Sequence, residues 1–167
     1  MIVGIEKLEQ KLESLSALDL KPGVSKAIAQ VQQDAKARCP VNHGELRQSI
    51  YTDVELEGDT CKGICYTNKK YAAFVEFGTG PNGQESHAGV SPDVNWAYSQ
   101  TGWTIPPDAM SISEAEGYGL GIATNSKGDA VGYYTNGQAA YPFMYPALKD
   151  NVDNLKEIIM NSLRSQL

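Results

Sequence analysis

Positive charge, long hydrophobic runs and histidine are all scarce in this sequence of 167 residues, and each shortage excludes a class of protein. The 14 basic and 20 acidic residues give a formal net charge of −6. A protein that binds nucleic acid through phosphate contacts needs a basic surface, so this class is excluded. No apolar run approaches the ~20 residues of a membrane-spanning helix. Residues 1–10 alternate charged and apolar side chains, which a signal peptide does not do.

Cysteine and histidine are too few, and too badly spaced, for a disulfide framework or a zinc site. The 3 cysteines suit a reducing cytoplasm. Cys61 and Cys65 lie on one predicted strand, about 13 Å apart along it, which is too far for a disulfide. With only His43 and His87 as histidines, we expect no closed four-ligand zinc site. The glycines of residues 117–121 lack the strand–turn–helix context of a dinucleotide site, so we expect no cofactor.

The sequence contains enough apolar residues for one domain. It also contains an internal segment with a different composition. Apolar residues make up 41% and charged residues 20%, which predicts a single globular domain over residues 1–167. Residues 80–140 hold 10 of the 16 glycines, 4 of the 8 prolines, both tryptophans and a net charge of −5. We interpret them as a Gly/Pro-rich, acidic insert, a kind of segment that is usually functional or mobile.

Three amphipathic helices are predicted outside this insert. The first covers residues 2–17, and the second covers about residues 24–39, after a break at Pro22–Gly23 and before Pro40. The third has Pro146 in its first turn and continues to the C-terminal end. Its apolar stripe consists of Leu148, Val152, Leu155, Ile159 and Leu163.

A β-hairpin and a short helix are predicted between the second helix and the insert. Residues 49–57 alternate as a half-buried strand, residues 57–60 form a turn, and residues 61–67 return as a second strand. Asn68 is then expected to cap a helix over residues 69–76, which Gly78 ends. Tyr71, Phe74 and Val75 are expected on the apolar side of this helix.

Within the insert, residues 118–124 and 130–135 are predicted strands, and residues 80–113 are predicted to be an exposed loop. Trp96 and Trp103 either fold this loop back onto the protein or contact a partner. The sequence therefore predicts about four strands, together with amphipathic helices near the N-terminal and C-terminal ends. The insert forms a long loop.

A few residues could act in catalysis, but the sequence around them gives this role little support. Cys39 and His43 are close in sequence, but no third orienting group or oxyanion site lies nearby. A buried thiol and a solvated turn histidine explain them better. Glu114 and Glu116 form an acidic pair that a solvated face explains better than acid–base work. We therefore predict no enzyme.

Three blocks of sequence carry a resemblance to a known family. Residues 40–50 read PVNHGELRQSI, residues 71–79 read YAAFVEFGT, and residues 138–148 read QAAYPFMYPAL. In this order they resemble the bacteriophage tail-component family of gene-product-ten-like neck proteins, over about residues 24–79 and 132–165. Asn42–His43 stand where that family usually has Asp–Thr, and the insert is long. The motif positions that this resemblance marks are Gly44, Leu46, Arg47, Tyr71, Glu76, Phe77, Gly78, Thr79, Pro142, Phe143, Met144 and Pro146.

The resemblance implies an α+β fold, in which an antiparallel sheet of about four strands packs against the N-terminal and C-terminal amphipathic helices. It also implies a structural protein of the virion neck or tail end that acts in head–tail joining or tail completion. It implies a homo-oligomeric ring that contacts head-completion or connector proteins and tail-tube or terminator proteins. DNA would pass through without specific binding, and the protein would be made in the host cytoplasm. The alternatives are a tail-terminator-type subunit, a host-factor binding module that uses Trp96 and Trp103, and a small hydrolase that uses Cys39 and His43.

Overall fold

The computed structural model describes residues 13, 15, 18–42 and 44–167, and it divides the chain into two compact units. One unit comprises residues 1–69 and 143–167, and the other comprises residues 70–142. The predicted helix over residues 2–17 lies outside the described residues, apart from Glu13 and Leu15. Both units contain helices and antiparallel strands, which confirms the α+β class. Each helix in the described ranges is too short or too polar to cross a lipid bilayer.

The central element of the first unit is helix α1, which covers Lys21–Arg38. Its buried stripe includes Val24, Val31 and Ala35, as the three- and four-residue spacing predicts. The predicted break at Pro22–Gly23 is wrong, because both residues lie in the first turn, where proline costs no helical hydrogen bond. The helix ends before Pro40, as predicted, and Cys39 is already extended.

A β-hairpin packs on one side of α1. A single-turn helix α2, Glu45–Gln48, leads into strand β1, Ile50–Glu57, which pairs antiparallel with strand β2, Thr60–Thr67. Gly58 and Asp59 form the two-residue turn, and Gly58 has a φ of 57°, which favours glycine. The hairpin predicted from the sequence is confirmed.

The C-terminal segment packs on α1 as two helices rather than the predicted single one. Helix α6 covers Met144–Lys149, and helix α7 covers Val152–Arg164. The chain turns at Asn151, whose side-chain amide donates to Asp34 Oδ2 and to the Ala147 carbonyl, both at 2.9 Å. These bonds fix the start of α7 against the end of α1.

Two glycines set how closely these elements approach α1. A Cβ atom on Gly23 would lie 3.1 Å from Ser162 Cβ and 3.2 Å from Ile159 Cα, both in α7. A Cβ atom on Gly63, in the middle of β2, would lie 3.0 Å from Val24 Cγ1. These contacts are tighter than ordinary van der Waals distances. Helix α1 therefore lies between the hairpin and α7, and glycine allows the close approach on each side.

The second unit is built around a three-stranded antiparallel sheet with strand order β3-β5-β4. Its core includes Ala72, Ala115, Tyr133 and Ala140. The elements of this unit are α3 (Ala72–Phe77), α4 (Gly80–Glu85), β3 (Trp103–Ile105), α5 (Ile112–Gly117), β4 (Gly121–Thr124) and β5 (Ala130–Thr135). The predicted strand over residues 130–135 is confirmed, and the one over residues 118–124 is shorter than predicted. Instead of one sheet of about four strands, the described residues form five strands in two sheets.

Two other local predictions in this region are corrected. Asn68 does not cap the helix that follows, because α3 begins at Ala72 and its N-cap is Tyr71, without a side-chain cap bond. Residues 80–113 are not one continuous loop, because α4 and β3 lie within them. The irregular part is residues 86–102, together with a shorter stretch before α5.

Candidate functional site

The first block of motif residues forms a tightly bonded turn in the first unit. Gly44 has a φ of 81°, which starts α2, and Leu46 is buried beneath it. Arg47 Nη2 donates to the Cys39 carbonyl oxygen at 3.2 Å, so this side chain ties the turn to the end of α1. Ser49 Oγ bonds the Leu46 carbonyl at 2.8 Å and Thr67 Oγ1 at 2.7 Å. The block therefore fixes the position from which β1 begins.

The second block forms α3 and the sharp turn that follows it, in the second unit. Gly78 ends α3 with a φ of 73° and a ψ of −178°, a conformation that is essentially restricted to glycine. The predicted apolar side of this helix is wrong, because Tyr71 and Phe74 are exposed, whereas Ala72 and the carboxylate residue Glu76 are buried.

The turn after α3 pairs with residues that lie about sixty positions further along the chain. Thr79 N donates to the Gln138 carbonyl at 2.8 Å, and Gln138 N donates back to Thr79 Oγ1 at 2.9 Å. Tyr141 N donates to the Val75 carbonyl at 2.8 Å. We call residues 75–86 together with residues 136–141 the glycine junction.

Glycine is required at this junction because two segments of backbone are in contact. A Cβ atom on Gly78 would lie 2.7 Å from Ala140 N and 2.7 Å from Gly83 Cα. A Cβ atom on Gly80 would lie 2.6 Å from the Asn136 carbonyl oxygen. A side chain at either glycine would require the backbone to move.

Polar side chains that were not singled out from the sequence complete the junction. Asn82 donates from its side-chain amide to the Gly137 carbonyl at 2.9 Å, and Ser86 Oγ accepts from Ala140 N at 2.8 Å. Both residues belong to the segment around α4, where Pro81 after Gly80 is the signal of a helix start. The sequence therefore indicated the start of α4. It did not indicate the residues to which this segment bonds, because they lie far along the chain.

The two tryptophans have different surroundings. Trp96 stacks on Phe77 with a centroid distance of 4.9 Å, meets Phe74 edge-on at 5.9 Å, and donates from Nε1 to the Gly78 carbonyl. Tyr98 donates to the Phe77 carbonyl at 2.8 Å and reinforces this contact. Trp96 thus folds the irregular segment onto the second block. Trp103 remains 39% exposed at the start of β3.

The third block is divided between the two units. Pro142 is the last residue of the second unit, and Phe143 is the first residue of the returning chain in the first unit. Phe143 is fully buried and stands at the N-cap of α6, with Met144 as its first residue and Pro146 in its first turn. The position of Pro146 agrees with the prediction. This block therefore joins the glycine junction in one unit to a buried helix start in the other.

The candidates for chemistry show structural roles where they are described. Cys39 is buried, and His43 lies outside the described residues. Glu114 closes a capping box with Ser111, whose hydrogen bonds lower the pKa of that carboxyl group. The Ser-x-x-Glu signal for this cap stands in the sequence at residues 111–114. Across residues 13, 15, 18–42 and 44–167, no cluster of His, Cys, Asp and Glu could hold a metal ion.

A comparison with protein families identifies what the first part of the chain is similar to. Residues 5–78 match the family model described as HK97-gp10_like, "Bacteriophage HK97-gp10, putative tail-component". This match confirms the resemblance for the first block and for the second block up to Gly78. The third block lies beyond the matched residues, so its resemblance stays a prediction. Neither the curated proteins nor the solved structures include a significant match to this chain.

Proposed function

We propose that this phage tail-component-like protein is a structural subunit of the virion neck or tail end. It acts in head–tail joining or tail completion by assembling into a homo-oligomeric ring. The observation that carries this proposal is the family match over residues 5–78, which ends at the glycine that closes α3. Within that range, Leu46, Arg47 and Gly78 serve packing and backbone contacts.

The geometry of the motif residues supports a role without catalysis. Arg47 is bonded to a backbone carbonyl, Leu46 is buried, and Gly78 holds a turn. Residues with these roles define a rigid shape, which a subunit needs when a patch on one side must fit a different patch on its neighbour. We therefore propose that the ring contacts head-completion or connector proteins on one side and tail-tube or terminator proteins on the other.

The charge of residues 80–140 supports a further part of the proposal. Their net charge of −5 would repel the phosphate backbone, so DNA would pass the ring without specific binding. The host-factor alternative has less support, because Trp96 is engaged with Phe77 and Gly78 inside its own unit.

Deleting the gene from a producing phage or prophage tests the proposed function. Electron microscopy of the lysate is expected to show separate heads and tails, and wild-type protein supplied in trans is expected to restore joined particles. Normal joined particles without the gene would overturn the proposal. The mass of the purified protein, alone and with the structural proteins encoded beside it, tests ring formation directly.

The same complementation separates the structural role from the hydrolase alternative. Cys39→Ala and His43→Ala proteins are each expected to restore particles, because a structural subunit needs neither a nucleophile nor a base. Loss of particles with both variants, each shown to be folded by circular dichroism, would favour an enzyme.

A further inference from the structure

Among the described residues, no other strand covers either of the two long edges of the β-hairpin in the first unit. Strands β1 and β2 each contain eight residues, and within the described part of the chain each pairs only with the other. An unpaired strand edge presents a row of backbone donors and acceptors that can pair with another chain, and natural proteins usually cover or shorten it. An isolated two-stranded sheet is also marginally stable. A hairpin of this length with both edges open is therefore suited to receive further strands.

The register identifies the backbone groups at the β1 edge. The closing pair of a two-residue hairpin exchanges hydrogen bonds, so Glu57 and Thr60 bond each other, and the pattern alternates along the strand. Thr52, Val54 and Leu56 therefore direct their backbone groups away from β2. In agreement, Val54 N donates at 2.8 Å to the side chain of Asp53 instead of to the ladder.

Charge indicates which strand fits beside the β1 edge. The face of β1 turned away from α1 carries Asp53, Glu55 and Glu57, whereas the single charged residue of β2 is Lys62. Pairing β1 with β1 of a second copy would place six carboxylates side by side, because each copy contributes three. Pairing β1 with β2 of a second copy would instead bring the acidic face beside a lysine.

Strand direction agrees with the same arrangement. The two edges lie on opposite sides of one antiparallel hairpin, so β2 of an identically oriented neighbour runs antiparallel to β1. The contact joins two different patches, and repeating it produces a ring when the rotation closes. Leu56, which is 57% exposed near the hairpin turn, would be covered by the added strand.

We propose that β1 of one copy pairs antiparallel with β2 of the next copy, so that the hairpins of a ring form one continuous sheet. This inference rests on the proposed ring assembly and identifies the surface that would build it. The partner is a second copy of the same chain, which binds through backbone hydrogen bonds along Thr52, Val54 and Leu56.

Oxidative cross-linking tests the pairing directly. Directly opposed residues on paired strands share a sheet face, so residue 56 of one copy would lie on the same face as Cys61 and Cys65 of the next. Residue 56 also lies opposite Cys61 of its own hairpin, so Leu56→Cys is made in a protein whose Cys61 and Cys65 are changed to Ser, and this protein is mixed with the wild type. The mixture is expected to form covalent dimers under mild oxidation, both in purified form and in particles from cells that make both proteins. Neither protein alone is expected to form these dimers. Tyr51→Cys is the matched control, because Tyr51 is similarly exposed on β1 but lies on the opposite face.

A proline substitution in β1 tests the pairing of the same strand edge without introducing a cysteine. Leu56→Pro removes an outward N–H and leaves the bonds to β2 intact, whereas Leu56→Thr keeps the N–H and removes only the apolar side chain. Oligomers are expected to be lost with Leu56→Pro and retained with Leu56→Thr, while circular dichroism shows both proteins folded.

The possible outcomes separate this inference from the proposed function. Covalent dimers that persist without Cys61 and Cys65 would show β1 paired with β1 and overturn the proposal. Oligomers that persist in Leu56→Pro, or particles that contain both proteins of the mixture but yield no covalent dimer, would overturn the edge pairing and leave the structural role standing. Unjoined heads and tails that are unchanged by the protein in trans would instead count against the proposed function.

Discussion

Replacing Gly78 with alanine is expected to destabilise the second unit more strongly than the same change at Gly119. Both glycines have a positive φ, 73° at Gly78 and 69° at Gly119. A Cβ atom on Gly119 would meet no atom within 4 Å, whereas one on Gly78 would lie 2.7 Å from Ala140 N. The pair therefore compares a positive-φ glycine in close contact with other backbone atoms with one that has no such contact.

The magnitudes follow from the backbone conformation and the close contact. Gly119→Ala has only the backbone cost, about 1–2 kcal/mol for a left-handed residue with a Cβ atom. Gly78→Ala has a strained conformation costing about 1–3 kcal/mol and forced displacement of packed backbone costing a further 1–3 kcal/mol or so. We expect a total of about 2–6 kcal/mol at Gly78, with loss of the Thr79–Gln138 hydrogen bonds as the junction opens.

Tryptophan fluorescence during urea unfolding is the assay, because Trp96 and Trp103 both lie in the second unit. Trp96 stacks on Phe77, next to the substituted residue, so its emission reports the junction itself. Equal losses of unfolding free energy for Gly78→Ala and Gly119→Ala would refute the reasoning, since the close contact would then contribute nothing.

Three further predictions concern packing, a buried hydroxyl and a helix cap. Gly23→Val is expected to cost about 1–3 kcal/mol of unfolding free energy, because a side chain there forces α1 away from α7. Ser49→Ala is expected to cost about 1–3 kcal/mol, because Thr67 Oγ1 loses a buried partner. The bond from the Ser111 backbone N–H contributes most to the lowered pKa of Glu114, and the bond from Ser111 Oγ contributes less. Ser111→Ala removes only the Oγ bond, so it is expected to raise the pKa of Glu114 part of the way toward its ordinary value, as measured by NMR titration. In the wild type this cap stabilises α5 above the ordinary carboxyl pKa, and the stabilisation is lost as the pH falls through the lowered value.

Each of these predictions has a result that would contradict it. Gly23→Val and Ser49→Ala are measured by urea unfolding followed by far-ultraviolet circular dichroism, with Gly117→Ala as a control at a helix end where a Cβ atom meets nothing within 4 Å. Losses no larger than that of the control would contradict the packing account. An unchanged Glu114 pKa in Ser111→Ala would show that the hydrogen bond from Ser111 Oγ does not contribute to the lowered pKa.

Local patterns predicted the hairpin and the stripe of α1 because both depend on residues close in sequence. The turn at Gly58–Asp59 fixes the register of β1 and β2, and the three- and four-residue spacing places Val31 and Ala35 on one helix face. The same reasoning failed at Phe74, which is apolar but exposed, and at Glu76, which is charged but buried. Burial in α3 is decided by partners that local spacing does not reveal.

The glycine junction could be predicted only in part. Gly78 was expected to end a helix, but the contact with Gln138 depends on backbone sixty positions away. Trp96 reaches Phe77 through an irregular segment without periodicity, so its position could not be derived from spacing. The division of the C-terminal helix at Asn151 likewise depends on the distant carboxylate of Asp34. Each of these features depends on contacts between polar or backbone groups that are far apart in the sequence, which is why local patterns did not predict them.

The division of the chain between the units has a consequence for synthesis on the ribosome. The second unit is one uninterrupted stretch, residues 70–142, whereas the first unit needs residues from both ends of the chain. Translation at about 5–20 residues per second therefore delivers the middle unit complete before α7 has been made. Until α7 has been made and has left the ribosome, α1 lacks the helix that packs at Gly23, and the nascent chain exposes an apolar face that a chaperone can bind.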